Sequence, residues 1–336
     1  MGRHFWVFGL LLFIIPLNKS WSQENMIMTV KGSILPEQLG TTLIHEHILV
    51  DFIGASEIKR ARWNSSEVAE VTLPYLKEAK DLSINSLIDC TPAYLGRDPL
   101  LLYELSDKAG LHILTNTGYY GAVDNKYLPA HAFSESVEQL AERWVSEWKH
   151  GIEGTEIRPG FIKIGVNNGP LSEIHQKLIR AAALTHLRTG LVIASHTGPY
   201  LPAKQQIQVL LEEGVSPEAF IWVHAQAEKD YSKHTEMAGK GVWISLDGIN
   251  EDNLHEYLEM AQHLKQNGLT HKMLISHDAG WYSPGEESGG DFRPFSTITR
   301  KFIPLLLENG WEEADIRQLL EKNPAKAFAV RVRSTS

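Results

Sequence analysis

The sequence predicts an α/β protein, and more narrowly a (β/α)8 TIM barrel that follows a short hairpin. Apolar strand-like runs alternate with longer amphipathic helical runs, and there are eight strand candidates. Several helical runs end at a glycine, which accepts the left-handed backbone that closes a helix. This alternation favours parallel strands with right-handed crossovers. Eight units favour a closed barrel, and an open doubly wound sheet is the alternative.

The elements follow one another along the chain after a predicted hairpin over Met26–Leu35. The predicted strands are Thr42–His47, Ser86–Cys90, His112–Gly118, Gly160–Val166, Leu191–His196, Phe220–His224, Val242–Asp247 and Met273–Asp278. The predicted helices are Ser66–Leu82, Phe133–His150, Leu171–Arg188, Ala203–Glu213, Asn253–Gln266, Pro294–Glu308 and a closing helix over Glu312–Ala329. No Gly-rich phosphate fingerprint follows the first strand, which weakens the open-sheet alternative.

The N-terminus has the pattern of a secretory signal peptide. Arg3 precedes an apolar run from Trp6 to Leu17, and Ser20-Trp21-Ser22 places small residues before a cleavage point. The apolar run is shorter than the about 20 residues of a spanning helix, and an uncleaved anchor is the alternative. We therefore expect a signal peptide over 1–22, a single barrel domain over 23–336, and a secreted or periplasmic protein without a stable membrane span.

Charge and cysteine content narrow the choice of partners. The formal net charge is −9, and loss of Arg3 and Lys19 with the signal peptide would change it to −11. An acidic balance argues against a nucleic-acid partner. Cys90 is the only cysteine, so no internal disulfide can form, and its apolar surroundings predict a buried residue rather than a nucleophile.

Polar residues cluster at the C-terminal ends of the predicted strands, where TIM barrels place their active sites. The first strand ends in His45-Glu46-His47, and a side-chain period of two puts both histidines on one face together with Leu43. Glu46 then points the other way and is expected to orient or support the site. One such histidine alone is more often a hydrogen-bonded core residue than a metal ligand.

The fourth strand places a lysine on the face that we expect to point into the barrel. Ile162, Ile164 and Val166 form one apolar face, so Lys163 shares the opposite face with Phe161. A buried amine is costly unless it is paired or chemically changed. The alternative is a lysine that extends along the strand end to reach water.

Three further strands end in a polar residue: His196 on the fifth, His224 on the sixth and Asp278 on the eighth. His277 alternates with Asp278 and is expected to be structural. Several imidazoles and a carboxylate at one mouth suit zinc or a similar divalent ion.

Taken in order, these segments resemble the phosphotriesterase-like branch of the amidohydrolase superfamily. The matching segments are Gly40–His47, Gly96-Arg97-Asp98, Phe161–Gly165, His196-Thr197-Gly198, His224, Ser276-His277-Asp278 and Asn323-Pro324. The resemblance spans nearly all of the predicted mature chain. It implies a (β/α)8 barrel that holds two divalent metal ions, often zinc.

The resemblance also implies a role for each residue. His45, His47 and Asp278 would bind the more buried metal, His196 and His224 the more exposed one, and a carbamylated Lys163 would bridge both. The implied reaction is hydrolysis of a lactone, carboxylic ester or phosphate ester by a metal-bridging hydroxide, with Asp278 as the catalytic proton carrier. The expected partner is therefore a small-molecule ester or lactone, and a homodimer is expected from the family and from base rates.

The sequence departs from the family pattern beside two of the matched strands. Some members place Arg or His after the strand-seven aspartate, where this chain has Gly248, and Ala225–Glu228 lacks the acidic pattern of phosphotriesterases. The resemblance thus leaves open an amidase-type amidohydrolase, and a secreted barrel that binds a ligand without turnover. The expected pocket walls are Tyr94, Arg97, Tyr119, Tyr120 and Trp281, with ordinary loop packing as the alternative for each.

Overall fold

A computed structural model describes residues 1–2 and 25–335 of the chain. The predicted signal peptide falls almost entirely outside this described part. The described chain opens with an antiparallel hairpin of β1 (Ile27–Thr29) and β2 (Gly32–Ile34), in which Met28 faces Ser33. This confirms the predicted hairpin. Among the described residues, no helix combines the length and the apolarity that crossing a membrane requires.

The remaining strands form a parallel barrel, which confirms the predicted fold. They are β3 (Thr42–Leu49), β4 (Ser86–Asp89), β5 (His112–Leu114), β6 (Asn116–Thr117), β7 (Phe161–Gly165), β8 (Ile193–His196), β9 (Phe220–Val223), β10 (Trp243–Asp247), β11 (Met273–Ser276) and β12 (Gly280–Tyr282). One sheet runs β12-β3-β4-β5 and the other β6-β7-β8-β9-β10-β11. The predicted third strand is thus two short strands, β5 and β6. β5 ends the first sheet and β6 begins the second, so this segment connects the two sheets.

The barrel closes between its last and first strands. The amide of Asp278 donates to the carbonyl of His45 at 3.0 Å, and the amide of His47 donates to the carbonyl of Ala279 at 2.9 Å. β12 then runs beside β3, with Gly280 opposite His47. The closing seam therefore passes directly through the predicted His-x-His motif.

Helices cover the outside of the barrel. They are α1 (Ser65–Asp81), α2 (Pro99–Ala109), α3 (Ala130–Ser134), α4 (Val137–His150), α5 (Glu173–Thr189), α6 (Tyr200–Glu212), α7 (Tyr231–Gly239), α8 (Leu254–Gln266), α9 (Ile303–Glu308), α10 (Glu313–Arg317) and α11 (Asn323–Phe328). The predicted helix over 133–150 is split, because Glu135 is extended and Ser136 caps α4 through its side chain. The two predicted C-terminal helices are interrupted by π-helical turns at Ile298–Phe302 and Gln318–Lys322.

Two apolar cores lie on the two sides of the barrel wall. The outer core packs the helices against strand residues such as Ile162, Ile164 and Trp222. The inner core fills the barrel with residues such as Phe161, Ala194 and Trp243. Cys90 belongs to this inner core, with Sγ 3.8 Å from the carbonyl oxygen of Ile44. Burial raises the pKa of its thiol, in agreement with a packing role.

Candidate metal centre

The six predicted ligands come from five strand ends, and the structure brings them together at one end of the barrel. The ring centroid of His45 lies 5.3 Å from that of His47 and 5.1 Å from that of His224. The rings of His196 and His224 are 4.4 Å apart. Nitrogen atoms of His45 and His224 and an oxygen of Asp278 all lie within 4.8 Å of one another, a spacing that one metal ion could bridge.

Lys163 lies inside the barrel as its strand alternation predicts. Its side chain is 2% exposed, and Nζ is 3.3 Å from Nε2 of His45. Within the described part of the chain, no carboxylate oxygen lies within 4.0 Å of this amine. Lys163 therefore lies among the candidate ligands without the carboxylate partner that a buried lysine in a protein core usually has.

The first strand departs from the simple alternation that the sequence predicts. The register between β3 and β4 shifts between Leu43 and Glu46. Leu43 consequently packs in the outer core, and Ile44 packs in the inner one. The prediction that Leu43 shares a face with the two histidines is therefore wrong, because an irregularity intervenes and re-aims the strand end.

Two of the candidate ligands have a left-handed backbone. His224 has φ 60° and ψ 37°, and Asp278 has φ 52°. Val223 already faces the inner core, so regular alternation would turn His224 outward towards the helices. The left-handed turn instead directs its ring to the barrel mouth. Such backbone costs about 1–3 kcal/mol in a non-glycine residue, and it concentrates at functional sites.

Three of the four imidazoles are fixed through Nδ1, and Nε2 then faces Lys163 in His45 and Asp278 in His47. Nδ1 of His45 lies 3.0 Å from Oδ2 of Asp247, and Nδ1 of His224 lies 2.5 Å from Oδ1 of Asp247. In His47, Nδ1 lies 2.8 Å from the hydroxyl oxygen of Thr91. A second polar partner on the distal ring nitrogen is the usual arrangement of metal-binding histidines.

The electrostatic environment keeps two of these imidazoles neutral. Burial, assisted by the neighbouring Lys163, lowers the pKa of His45 to about 4. Burial, followed by the nearby ring of His224, lowers the pKa of His196 well below its usual value. The His196 side chain makes no hydrogen bond to the described residues. Neutral imidazoles with free lone pairs are the form that binds divalent metals.

Asp278 supplies an anionic oxygen to the same space. Burial alone would raise the pKa of this carboxyl, but His45 and His47 lower it below its usual value. Oδ1 lies 3.1 Å from Nε2 of His47 and 3.7 Å from Nε2 of His45, and it is a buried oxygen without an assigned hydrogen bond in the described part of the chain. A carboxylate oxygen that faces two imidazole nitrogens suits a bound divalent cation.

Glu46 and His277 support Asp278 from behind, as their outward positions predict. Oε1 of Glu46 accepts from the amide and from Nδ1 of His277 at 3.0 and 2.7 Å, and from the hydroxyl of Ser276 at 2.7 Å. Oε2 accepts from the amide of Ala279 at 2.8 Å. One buried carboxylate thus fixes the backbone on both sides of Asp278.

A match to a family model identifies the family of the protein. The model of the phosphotriesterase family matches residues 25–328. This chain belongs to the phosphotriesterase family. The family consists of hydrolases that depend on divalent metals, and the histidine cluster of this member suits such ions.

Curated relatives of this phosphotriesterase family member are similar over almost their whole length. A phosphotriesterase homology protein of Escherichia coli is 27% identical, covering 86% of this chain and 98% of the relative. An aryldialkylphosphatase of Saccharolobus solfataricus is 29% identical, covering 89% and 98%. An N-acetyltaurine hydrolase of Homo sapiens is 26% identical, covering 90% and 97%. The names of these relatives thus refer to hydrolases that act on different kinds of substrate.

Of the five predicted pocket residues, the structure brings two to the histidines of this family member. The ring of Tyr120 lies 5.0 Å from that of His196, and the ring of Trp281 lies 5.5 Å from that of His47. Trp281 also contacts Phe52, whose side chain is exposed. These aromatic rings form one wall of the candidate site, and sequence patterns alone did not reveal the contribution of Phe52.

The other three predicted pocket residues lie in a different cavity. Tyr94, Arg97 and Tyr119 line a space of about 800 Å³ beside α4, and none of the six predicted ligands is among its described lining residues. The Arg97 guanidinium is 1% exposed and pairs with Glu147 and Glu153 at 2.7 and 2.9 Å. It is therefore engaged by structural partners and does not face the histidine cluster.

Asp247 is the functional residue that sequence reasoning missed. It ends β10, is fully buried and holds both His45 and His224. Gln226 in turn holds Asp247, because its side-chain amide donates to the Asp247 carbonyl and accepts from the Asp247 amide. A polar residue at the end of an apolar predicted strand was the available signal, as it was for the ligands.

Proposed function

We propose that this protein is a binuclear-metal hydrolase that cleaves a lactone, a carboxylic ester or a phosphate ester. The observation on which this proposal rests is the set of imidazoles held through Nδ1, with Lys163 and Asp278 beside them. His45, His47 and Asp278 would hold one ion, His196 and His224 the other, and a carbamylated Lys163 would join them. Zinc suits this set of nitrogen and oxygen donors.

Two divalent ions, when bound, would supply a hydroxide near neutral pH and polarise the substrate oxygen. Asp278 and Glu46 would provide the proton transfer and the positioning. The Asp278 carboxylate has its Oδ1 enclosed and facing His47, and the side chain as a whole is 21% exposed at the mouth. It is therefore placed to accept a proton from the attacking water and to release it to the leaving group. Glu46 would hold its backbone in place during this exchange.

Replacement of Lys163 tests this proposal. We expect Lys163→Ala to lose bound metal and to lower kcat/KM by on the order of 100-fold or more, since the bridging oxygen ligand is absent. Added acetate or propionate should restore part of both, by supplying a carboxylate to the vacated space. Lys272→Ala is the matched control, because this buried lysine donates to the Gly241 carbonyl away from the cluster. Full metal content and activity in Lys163→Ala would refute the carbamate role.

The bond that is cleaved is decided by a substrate panel. Metal content is measured first, and turnover of lactones, aryl esters and organophosphates is then measured on the metal-loaded protein. Two bound metals without turnover of any amide or ester would contradict the hydrolase and favour a ligand-binding barrel.

Amide hydrolysis is the second candidate. Relatives named N-acetyltaurine hydrolase are similar along 90% of this chain, and Gly248 replaces the side chain that some esterase-type members place after the strand-seven aspartate. An N-acetyl amino sulfonate therefore belongs in the same panel. Faster turnover of this amide than of every ester would favour the amidase.

We also propose that the chain is exported through residues 1–22 and that it forms a homodimer. The support for export is the basic, apolar and small-residue order of that segment. An exported chain whose first residue is Gln23 would agree with cleavage after Ser22, and light scattering of that chain would give its oligomeric state.

A further inference from the structure

A glycine follows the last residue of β10, and a tyrosine of α8 occupies the space where a side chain would lie. Gly248 comes directly after Asp247 and has φ 136°. A Cβ atom at this position would lie 2.6 Å from Oη of Tyr257 and 3.1 Å from Nε2 of Gln226. The Tyr257 hydroxyl therefore occupies the space that any side chain at residue 248 would need.

The Tyr257 hydroxyl has no assigned role in packing or in the support of the ligands. Tyr257 lies in the first turn of α8 and is only 3% exposed. Its Oη makes no hydrogen bond to any residue in the described part of the chain, and it is not among the fully enclosed unpaired polar atoms, so it keeps some accessible surface. Burial, and after it the charges of Asp247 and Asp278, raise the pKa of this phenol, so it keeps its proton and can donate it.

The polar groups of Asp247 and Gln226 at this strand end are already engaged with one another and with the histidines. Oδ2 of Asp247 accepts from Ser245 at 2.5 Å and faces Nδ1 of His45, and Oδ1 faces Nδ1 of His224. Gln226 uses its side-chain amide on the Asp247 backbone. The phenol is thus a spare donor beside the candidate metal centre, next to a residue that has no side chain to cover it.

We propose that Oη of Tyr257 donates a hydrogen bond to an oxygen of the bound substrate, on the side of the centre formed by β9 and β10. The inference rests on the proposed function, and it deepens it by naming a donor that contacts the substrate. The ligand chemistry that fits is an acyl or phosphoryl group with an acceptor oxygen directed at Gly248. A donor that costs no reorganisation stabilises charge on such an oxygen.

Tyr257→Phe tests the proposal, because it keeps the ring and removes only Oη. We expect kcat/KM for the best substrate of the panel to fall by about 10-fold to 100-fold, the usual effect of one lost hydrogen bond in a dry site. Bound metal and Tm should not change. The matched control is Tyr231→Phe, whose half-buried ring packs against His234 and His263 on the outer helices, and which should retain full kcat/KM.

Binding of inorganic phosphate separates this inference from the proposed function. Calorimetry on the metal-loaded proteins needs no turnover, and Tyr257→Phe should raise the Kd for phosphate by about 10-fold. If the wild type hydrolyses nothing but binds phosphate more tightly than Tyr257→Phe, the hydrolase fails and the donor stands. Equal Kd and equal kcat/KM in both proteins would overturn the donor, and if the wild type binds no phosphate, equal kcat/KM alone would overturn it.

Discussion

The carboxylate of Asp247 is shared between two candidate ligands. It faces Nδ1 of His45 and Nδ1 of His224, and it also accepts from the His224 amide at 3.0 Å. Burial alone would raise the pKa of this carboxyl, but the two histidines lower it well below its usual value. A single side chain therefore sets the orientation of rings that would serve two different ions.

We predict that Asp247→Asn weakens metal binding by about 10-fold to 100-fold. An amide keeps one acceptor oxygen but presents N–H groups to the other imidazole, so one of the two rings loses its anchor. Metal retained after dialysis against graded chelator measures the effect. Glu147→Gln serves as the control, since its carboxylate pairs with Arg97 in the neighbouring cavity. Unchanged metal retention in Asp247→Asn would show that the anchor is dispensable.

Strand alternation predicted some side-chain directions and failed for others. Lys163 faces inward as predicted, because β7 is regular and pairs with β8 without a break. Leu43 does not, because the register of β3 shifts before Glu46. His224 reaches the site only through a left-handed turn. Residue types and strand ends were therefore readable from sequence, whereas backbone irregularities depend on tertiary contacts that no local pattern records.

At the scale of elements, Glu46 joins the first strand to the last. Its two oxygens accept from Ser276, His277 and Ala279, and Nε2 of His277 accepts from the Ile298 amide at 3.0 Å. The seam that closes the barrel is therefore also the seam that positions Asp278. The sequence predicted a supporting role for Glu46, but its partners 230 residues away became visible only in the fold.

We predict that Glu46→Gln lowers the free energy of unfolding by about 2–4 kcal/mol, because one amide group would face backbone and hydroxyl donors. A lower Tm, together with weaker metal retention, is the expected result. Glu138→Gln, an exposed change in the first turn of α4, should leave both unchanged. A Tm equal to that of the wild type would mean that the seam holds without this carboxylate.

At the scale of the whole molecule, the two ends of the described chain cover the N-terminal end of the barrel. The amide of Asn25 donates to the Val330 carbonyl at 2.7 Å, and the amide of Val330 donates to the Met26 carbonyl at 2.8 Å. The ring of Phe328 lies 5.5 Å from that of Phe161 in the inner core. These terminal contacts thus lie at one end of the barrel, and the candidate chemistry lies at the other.

Arg333 fixes this terminal segment. Its guanidinium donates to the carbonyls of Lys326, Ala327 and Ala329, and burial lowers its pKa to about 10. We predict that Arg333→Met lowers Tm by several degrees and leaves kcat/KM at 25 °C unchanged, since the carbonyls lose their donor far from the site. Arg331→Met is the control, because its exposed pair with Glu218 contributes little. Equal Tm values for the two variants would contradict the prediction.

The single thiol of the chain can report how often the barrel opens locally. Cys90 is 2% exposed within the inner core, and its Sγ lies 3.8 Å from the Ile44 carbonyl oxygen. A reagent that attacks thiolates can reach it only when strands part, so its labelling rate follows the frequency of opening rather than surface chemistry. The sequence has no second thiol that could add to the signal. Occupancy at the mouth of the barrel can therefore be followed through the slowing of a reaction deep inside it.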